Sequence, residues 1–186
     1  YIGYSPNGID QKHQPAIVLE YGRKGRLSNI IHATQDQIKH LGWDDTKKLI
    51  NIFGIASAIS YLHSFNVLHR NLNTNNIFEN DDLYPLVANL ENASCLDKDE
   101  EKCTESFIIG SIQFLAPEII SKKEYSRKSD VYAFGMIVYE IMTGLAPFAG
   151  IQDSKDISNN ISQGIKPEMN DQIPESYKEL YKACCS

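Results

Sequence analysis

His69-Arg70-Asn71-Leu72-Asn73-Thr74-Asn75-Asn76-Ile77-Phe78 is the stretch on which the reading of this chain turns. It carries asparagine at 71, 73, 75 and 76. Such side chains donate and accept hydrogen bonds, but they hold no charge and cannot act as a base near neutral pH. Just before it, Val67-Leu68 reads as a short strand, and before that lies the strongest amphipathic pattern in the chain. Asp44-Asp45 cap a helix in which Leu49, Ile52, Phe53, Ala56, Ile59 and Leu62 recur at three- and four-residue steps, and this stripe is expected to face the core. Tyr61-Leu62-His63-Ser64 closes that helix. On the other side, Ile77-Phe78, an acidic turn Glu79-Asn80-Asp81-Asp82 and residues 83–90 read as a hairpin.

The order long helix, short strand, H-R-x-L resembles eukaryotic protein kinases, whose catalytic loop reads H-R-D-L-K-x-x-N-I. Asn71 stands at the position of the Asp and Asn73 at that of the Lys, while His69, Arg70, Leu72, Asn76 and Ile77 match. In that family the Asp orients and deprotonates the substrate hydroxyl, and the Lys lies against the transferring phosphate. The resemblance makes Asn71 and Asn73 degenerate catalytic positions. Asn76 matches the metal-ligand Asn and could offer one oxygen to magnesium.

The same comparison extends downstream. Where the family has D-F-G, this chain has Asn89-Leu90-Glu91, so the principal magnesium carboxylate is replaced by a neutral amide. Leu90 is expected to pack as the Phe does. Glu91 replaces a glycine that tolerates positive φ, which predicts an activation segment that is more fixed, or fixed differently. The charged run Asp97-Lys98-Asp99-Glu100-Glu101-Lys102 reads as a solvated loop. Gly110-Ser111-Ile112-Gln113-Phe114-Leu115-Ala116-Pro117-Glu118 resembles G-T-x-x-Y-x-A-P-E, with Ser111 and Glu118 at the marked positions. These endings are most like serine/threonine kinases of the tyrosine-kinase-like group. Arg70 corresponds to an arginine that clasps a phosphorylated residue of the activation segment. Thr104 and Ser106 are its candidate partners, and the acidic run is another; a purely packing role for Arg70 fits the residues equally.

Residues 128–144 form a capped, almost wholly apolar pattern with a Gly stop, as expected of a buried helix. It resembles the central helix of a kinase carboxy-terminal lobe, in which the residue at Asp130 holds the backbone of the catalytic loop. Two more helices are expected, Asp153 to Gln163 and Pro174 to Cys185. Near the start, residues 16–22 read as a strand running into a polar, Gly-containing segment. By the residues alone this suits an ordinary edge strand and turn as well as a hinge, with a preceding strand and turn over residues 1–14. By resemblance it is the kinase hinge, with Leu19 as gatekeeper, Glu20 and Gly22 supplying backbone groups to adenine, and Phe78 and Ala88 lining the nucleotide cleft. His69 is given a structural role.

The resemblance therefore implies an α+β, protein-kinase-like fold: the end of an amino-terminal lobe and hinge over residues 1–26, and a helical carboxy-terminal lobe over 27–186. No G-x-G-x-x-G and no V-A-I-K lysine occur, so most of an amino-terminal lobe is expected to lie outside this sequence. The chain opens on Tyr1 rather than Met and reads as part of something longer. At 186 residues, 42% hydrophobic and net charge −6, it suits one globular unit and neither a nucleic-acid nor an anionic-membrane surface. Its longest apolar run stops at Glu140, too short for a membrane span. Cys95, Cys103, Cys184 and Cys185 form no C-x-x-C pair and are expected as free thiols in the cytoplasm, with Cys95 and Cys103, which flank the acidic loop, able to pair if oxidised. ATP and magnesium are what the family uses, and the substituted amides remove groups that would hold them. Two functions follow: a pseudokinase serving as a scaffold or allosteric module for protein partners, or a weak serine/threonine kinase completed by a full amino-terminal lobe. A decayed product with no selected role is a third.

Overall fold

The computed structural model describes residues 2–6 and 16–186. In chain order it runs β1 (Gly3–Ser5), β2 (Ala16–Val18), β3 (Gly25–Arg26), α1 (Leu27–Ile31), α2 (Gln35–Leu41), α3 (Asp45–Ser64), β4 (Val67–Leu68), β5 (Ile77–Glu79) and β6 (Pro85–Val87). It continues with β7 (Ser94–Cys95), β8 (Lys102–Thr104), α4 (Pro117–Lys122), β9 (Glu124–Ser126), α5 (Arg127–Thr143), α6 (Ser154–Ser162) and α7 (Glu175–Cys184). Among the described residues the strands pair in small antiparallel sheets, β1 with β2, β3-β5-β6, β4 with β7, and β8 with β9. Part of the strand and turn expected over residues 1–14 falls on Tyr1 and residues 7–14, outside the described residues.

Helix α5 is the axis of the core. Ser126 and Ser129 form a reciprocal capping box at its start, and Gly144 takes a left-handed conformation (φ 71°) at its end. Between them Met136, Ile137 and Val138 are completely buried. Because α5 is apolar on every side, it can pack against α3, α7 and β9 at once. At Gly135 the approach of α7 is so close that an added Cβ would lie 2.7 Å from Cys185 Sγ and 2.8 Å from Cys184 Cβ. Among the described residues no helix is long and apolar enough to cross a membrane.

Three expectations need correction. In α3 the buried residues are Asn51, Ile52, Ile55 and Ile59, whereas Leu49 is 53% and Phe53 73% exposed. Residues 49–62 are apolar almost all round, so periodicity does not select a face. The rotation is set by Asn51, whose amide is tied to Lys47 O, Leu83 O and Glu79 Oε2 beneath the hairpin. Glu79 itself is no turn residue but a fully buried member of β5. Leu90 does not pack as expected; it is 47% exposed in a 3₁₀ turn. Helix α2, unforeseen, begins at a Thr34/Gln37 capping box whose S/T-x-x-E/Q signature stands in the sequence.

Candidate functional site

Asp130, in the first turn of α5, organises the loop that follows β4. Its buried carboxylate accepts the backbone N–H of His69 (2.9 Å) and of Arg70 (3.0 Å), and His63 Nε2 lies 2.9 Å from the same group. Arg70 adopts φ 64°, a left-handed conformation that a non-glycine residue holds only when its surroundings impose it. His69 is buried, with Nε2 3.0 Å from Ala88 O, and burial pushes its pKa below the usual histidine value. The neutral ring with its proton on Nε2 satisfies that contact and leaves Nδ1 to accept the N–H of Asn71.

The asparagines are spent on one another. Asn73 is buried; its Nδ2 donates to Asn71 O and Asn71 Oδ1, both at 3.0 Å, while its Oδ1 accepts Asn75 N and caps the 3₁₀ turn Thr74–Asn76. It faces into the loop rather than outward, as a phosphate-contacting lysine would. Asn76 Nδ2 donates to Asn71 O (2.7 Å), and Asn76 Oδ1 accepts Asn89 Nδ2 (2.8 Å). Asn89 carries the positive φ of this region (61°), and Glu91 sits in the 3₁₀ turn after it, so the missing glycine is not needed there. Asn76 and Asn89 are thus brought together as the alignment of motifs implied, but as a neutral amide pair. Magnesium prefers at least one carboxylate oxygen, so this donor set does not fit the ion.

Of the three residues expected to form a hinge, Gly22 lies beside β5. Lys24 N donates to Glu79 O, and Gly22 is buried so tightly that a Cβ would stand 2.5 Å from Phe78 Cβ. Phe78 and Ala88 are half-buried, whereas Leu19 and Glu20 are exposed. On the opposite side, Gly110 (φ 110°) passes so close to Arg70 O and Leu115 that only glycine fits. Ser111 is exposed and precedes the 3₁₀ turn Ile112–Phe114, and Glu118 is half-buried in the first turn of α4.

Arg70 does not meet Thr104, Ser106 or the acidic run 97–102. Its Nη1 donates to Glu105, and its Nε to Asn92 O. Thr104 and Ser106 are exposed. Glu105 was missed because one glutamate near a charged run carries no local signal of a partner 35 positions away. Glu140 was also missed, although a lone acid inside an apolar helix was a visible cue. It is buried in α5, accepts Thr74 Oγ1 at 3.0 Å and faces His32 Nε2 at 3.2 Å; burial raises its pKa to about 7.

A family model described as protein tyrosine and serine/threonine kinase matches residues 6–186. The chain belongs to the protein kinase family. This kinase-family chain is 31% identical over 186 residues to a probable serine/threonine-protein kinase of Dictyostelium discoideum, covering 99% of the chain and 13% of that protein. It is 35% identical to a serine/threonine/tyrosine-protein kinase of Arabidopsis thaliana (91% and 42%). It is also 29% identical to a cysteine-rich receptor-like protein kinase of Oryza sativa subsp. japonica (88% and 25%). The kinase chain therefore spans between about an eighth and two fifths of the length of these relatives.

Proposed function

We propose that this kinase-family chain works without phosphotransfer, as a scaffold or allosteric module that engages protein partners. The observation that carries the reading is a neutral network where the family has acids to hold magnesium and accept the substrate proton: Asn89 Nδ2 donates to Asn76 Oδ1, Asn76 Nδ2 to the backbone O of Asn71, and Asn73 Nδ2 to Asn71 Oδ1. A positioned general base alone is worth roughly 10²–10⁴ in rate, and the loss of metal carboxylate and phosphate lysine falls on the same step. Exposed Phe107 and Ile108 in the activation segment supply the kind of surface a protein partner covers. A serine/threonine kinase is the second reading, favoured by the similarity to proteins named as serine/threonine kinases.

The deciding experiment incubates the purified full-length protein with labelled ATP, magnesium and a generic protein substrate. The expected result is no transfer above the level of an Asn76→Ala control, and no rise in melting temperature with ATP that depends on magnesium. Transfer at an ordinary kinase rate that disappears in Asn76→Ala would overturn the proposal.

A further inference from the structure

A fully buried carboxyl stands at the end of β5, where the hairpin leaves the sheet. Glu79 pairs with Gly25 across β3 and with Pro85 across β6, and its backbone O accepts Lys24 N. Its side chain meets α3, where Asn51 Nδ2 reaches Oε2 at a long 3.4 Å. Glu79 Oε1 and Asn51 Oδ1 are both buried and meet no donor. Two such acceptors on side chains in contact are unfavourable unless a proton enters to serve them.

The turn beyond, residues 80–84, hangs on the same face of α3. Asn51 Nδ2 donates to Leu83 O (3.2 Å), and Lys47, one helical turn earlier, donates through Nζ to Asp82 O and lies 5.3 Å from the centroid of the Tyr84 ring. Leu83 is buried with φ 59°, a conformation that a non-glycine residue keeps only where its neighbours impose it. Where β6 runs along α3 there is no slack, because a Cβ added at Gly54 would stand 2.6 Å from Pro85 Cγ. Strain at Glu79 is therefore relieved at the turn rather than in the strands. Lys47 is the cation that faces the carboxyl from α3, and its field opposes the rise in pKa that burial causes. Lys48 is paired with Asp45 and Arg23 with Asp81, Arg26 lies over the Phe78 ring, the side chains of Lys24 and Asp82 are exposed, and the cross-strand neighbours Gly25 and Pro85 carry no charge.

We propose that Glu79, Asn51 and Lys47 form a proton-operated catch: with the carboxyl protonated, residues 80–84 are held on α3, and with the proton gone the carboxylate draws the Lys47 ammonium away from Asp82 O and the turn comes free. Burial pushes Glu79 up to about 7, so the catch is closed below that pH and opens as pH rises through it. The catch concerns local order and not turnover, so it stands or falls separately from the absence of phosphotransfer.

The test is amide hydrogen exchange of the full-length protein from pH 6 to pH 8, corrected for the intrinsic pH dependence of exchange and read as the protection of residues 80–85 relative to that of α5. In wild type this ratio should fall about tenfold, as a proton held with a pKa of about 7 in the closed form and 4.5 in the open one requires. A loss of global stability without local release would speed α5 instead and leave the ratio level or raise it. Glu79→Gln, which keeps shape and cannot titrate, should hold the ratio constant. Glu140→Gln, which removes the other carboxyl of pKa about 7, should leave the fall in place. Lys47→Gln keeps a donor for Asp82 O without the charge and should move the midpoint to higher pH. A wild-type ratio that does not fall refutes the catch, whichever variants fold, and so does a fall of equal size in Glu79→Gln.

Discussion

Replacing Glu79 by glutamine should make this protein more stable at alkaline pH. Glu79 is completely buried in β5 and touches Asn51 Nδ2 at a long 3.4 Å, while its Oε1 and Asn51 Oδ1 are both buried acceptors without a donor. A proton on the carboxyl supplies the donor that this pair lacks. Burial raises the Glu79 pKa to about 7 from 4.5, against the opposing effects of Asn51 and of Lys47, whose ammonium is turned to Asp82 O. Below pH 4.5 the folded and unfolded chains both hold the proton, and the stability it confers is fully present. As pH rises from 4.5 through 7, the unfolded chain releases its proton first, so the folded state loses about 3 kcal/mol by pH 8. That is a sizeable part of the ~5–15 kcal/mol by which domains are stable. Glutamine cannot titrate, and its amide can donate to Asn51 Oδ1. Urea unfolding followed through buried Trp43, the only tryptophan, is the assay. Glu79→Gln should match wild type near pH 4.5 and exceed it by about 3 kcal/mol at pH 8, keeping a residual slope from Glu140, whose pKa is also about 7. A variant no more stable than wild type at pH 8 would refute the reasoning.

Two further substitutions probe the frame of the site. Asp130→Asn puts an amide nitrogen where a carboxylate oxygen now accepts backbone N–H, and should cost about 2–4 kcal/mol in urea unfolding; a loss below ~0.5 kcal/mol would show that the loop does not hang on this residue. Gly135→Ala drives a methyl group into Cys184 and Cys185, with an expected loss of about 1–3 kcal/mol that Cys185→Ala partly relieves; an unchanged melting temperature would show that α7 shifts away freely.

The amino-acid order by itself determined the family, the order of long helix, short strand and catalytic-type loop, and the neutral chemistry of positions 71, 73 and 89, because motifs and caps are local and their letters stand side by side. It also fixed α5 as a buried helix, since an apolar run with a cap and a glycine stop has few alternatives. The tertiary structure alone decided which side of α3 faces inward, because a segment apolar all round needs an external tie, here Asn51 beneath the hairpin, to choose. It alone joined Arg70 to Glu105 and Glu140 to Thr74, 35 and 66 positions apart. Buried charges and polar groups take whichever partner the packing brings within reach, and reach in space is not written in spacing along the chain.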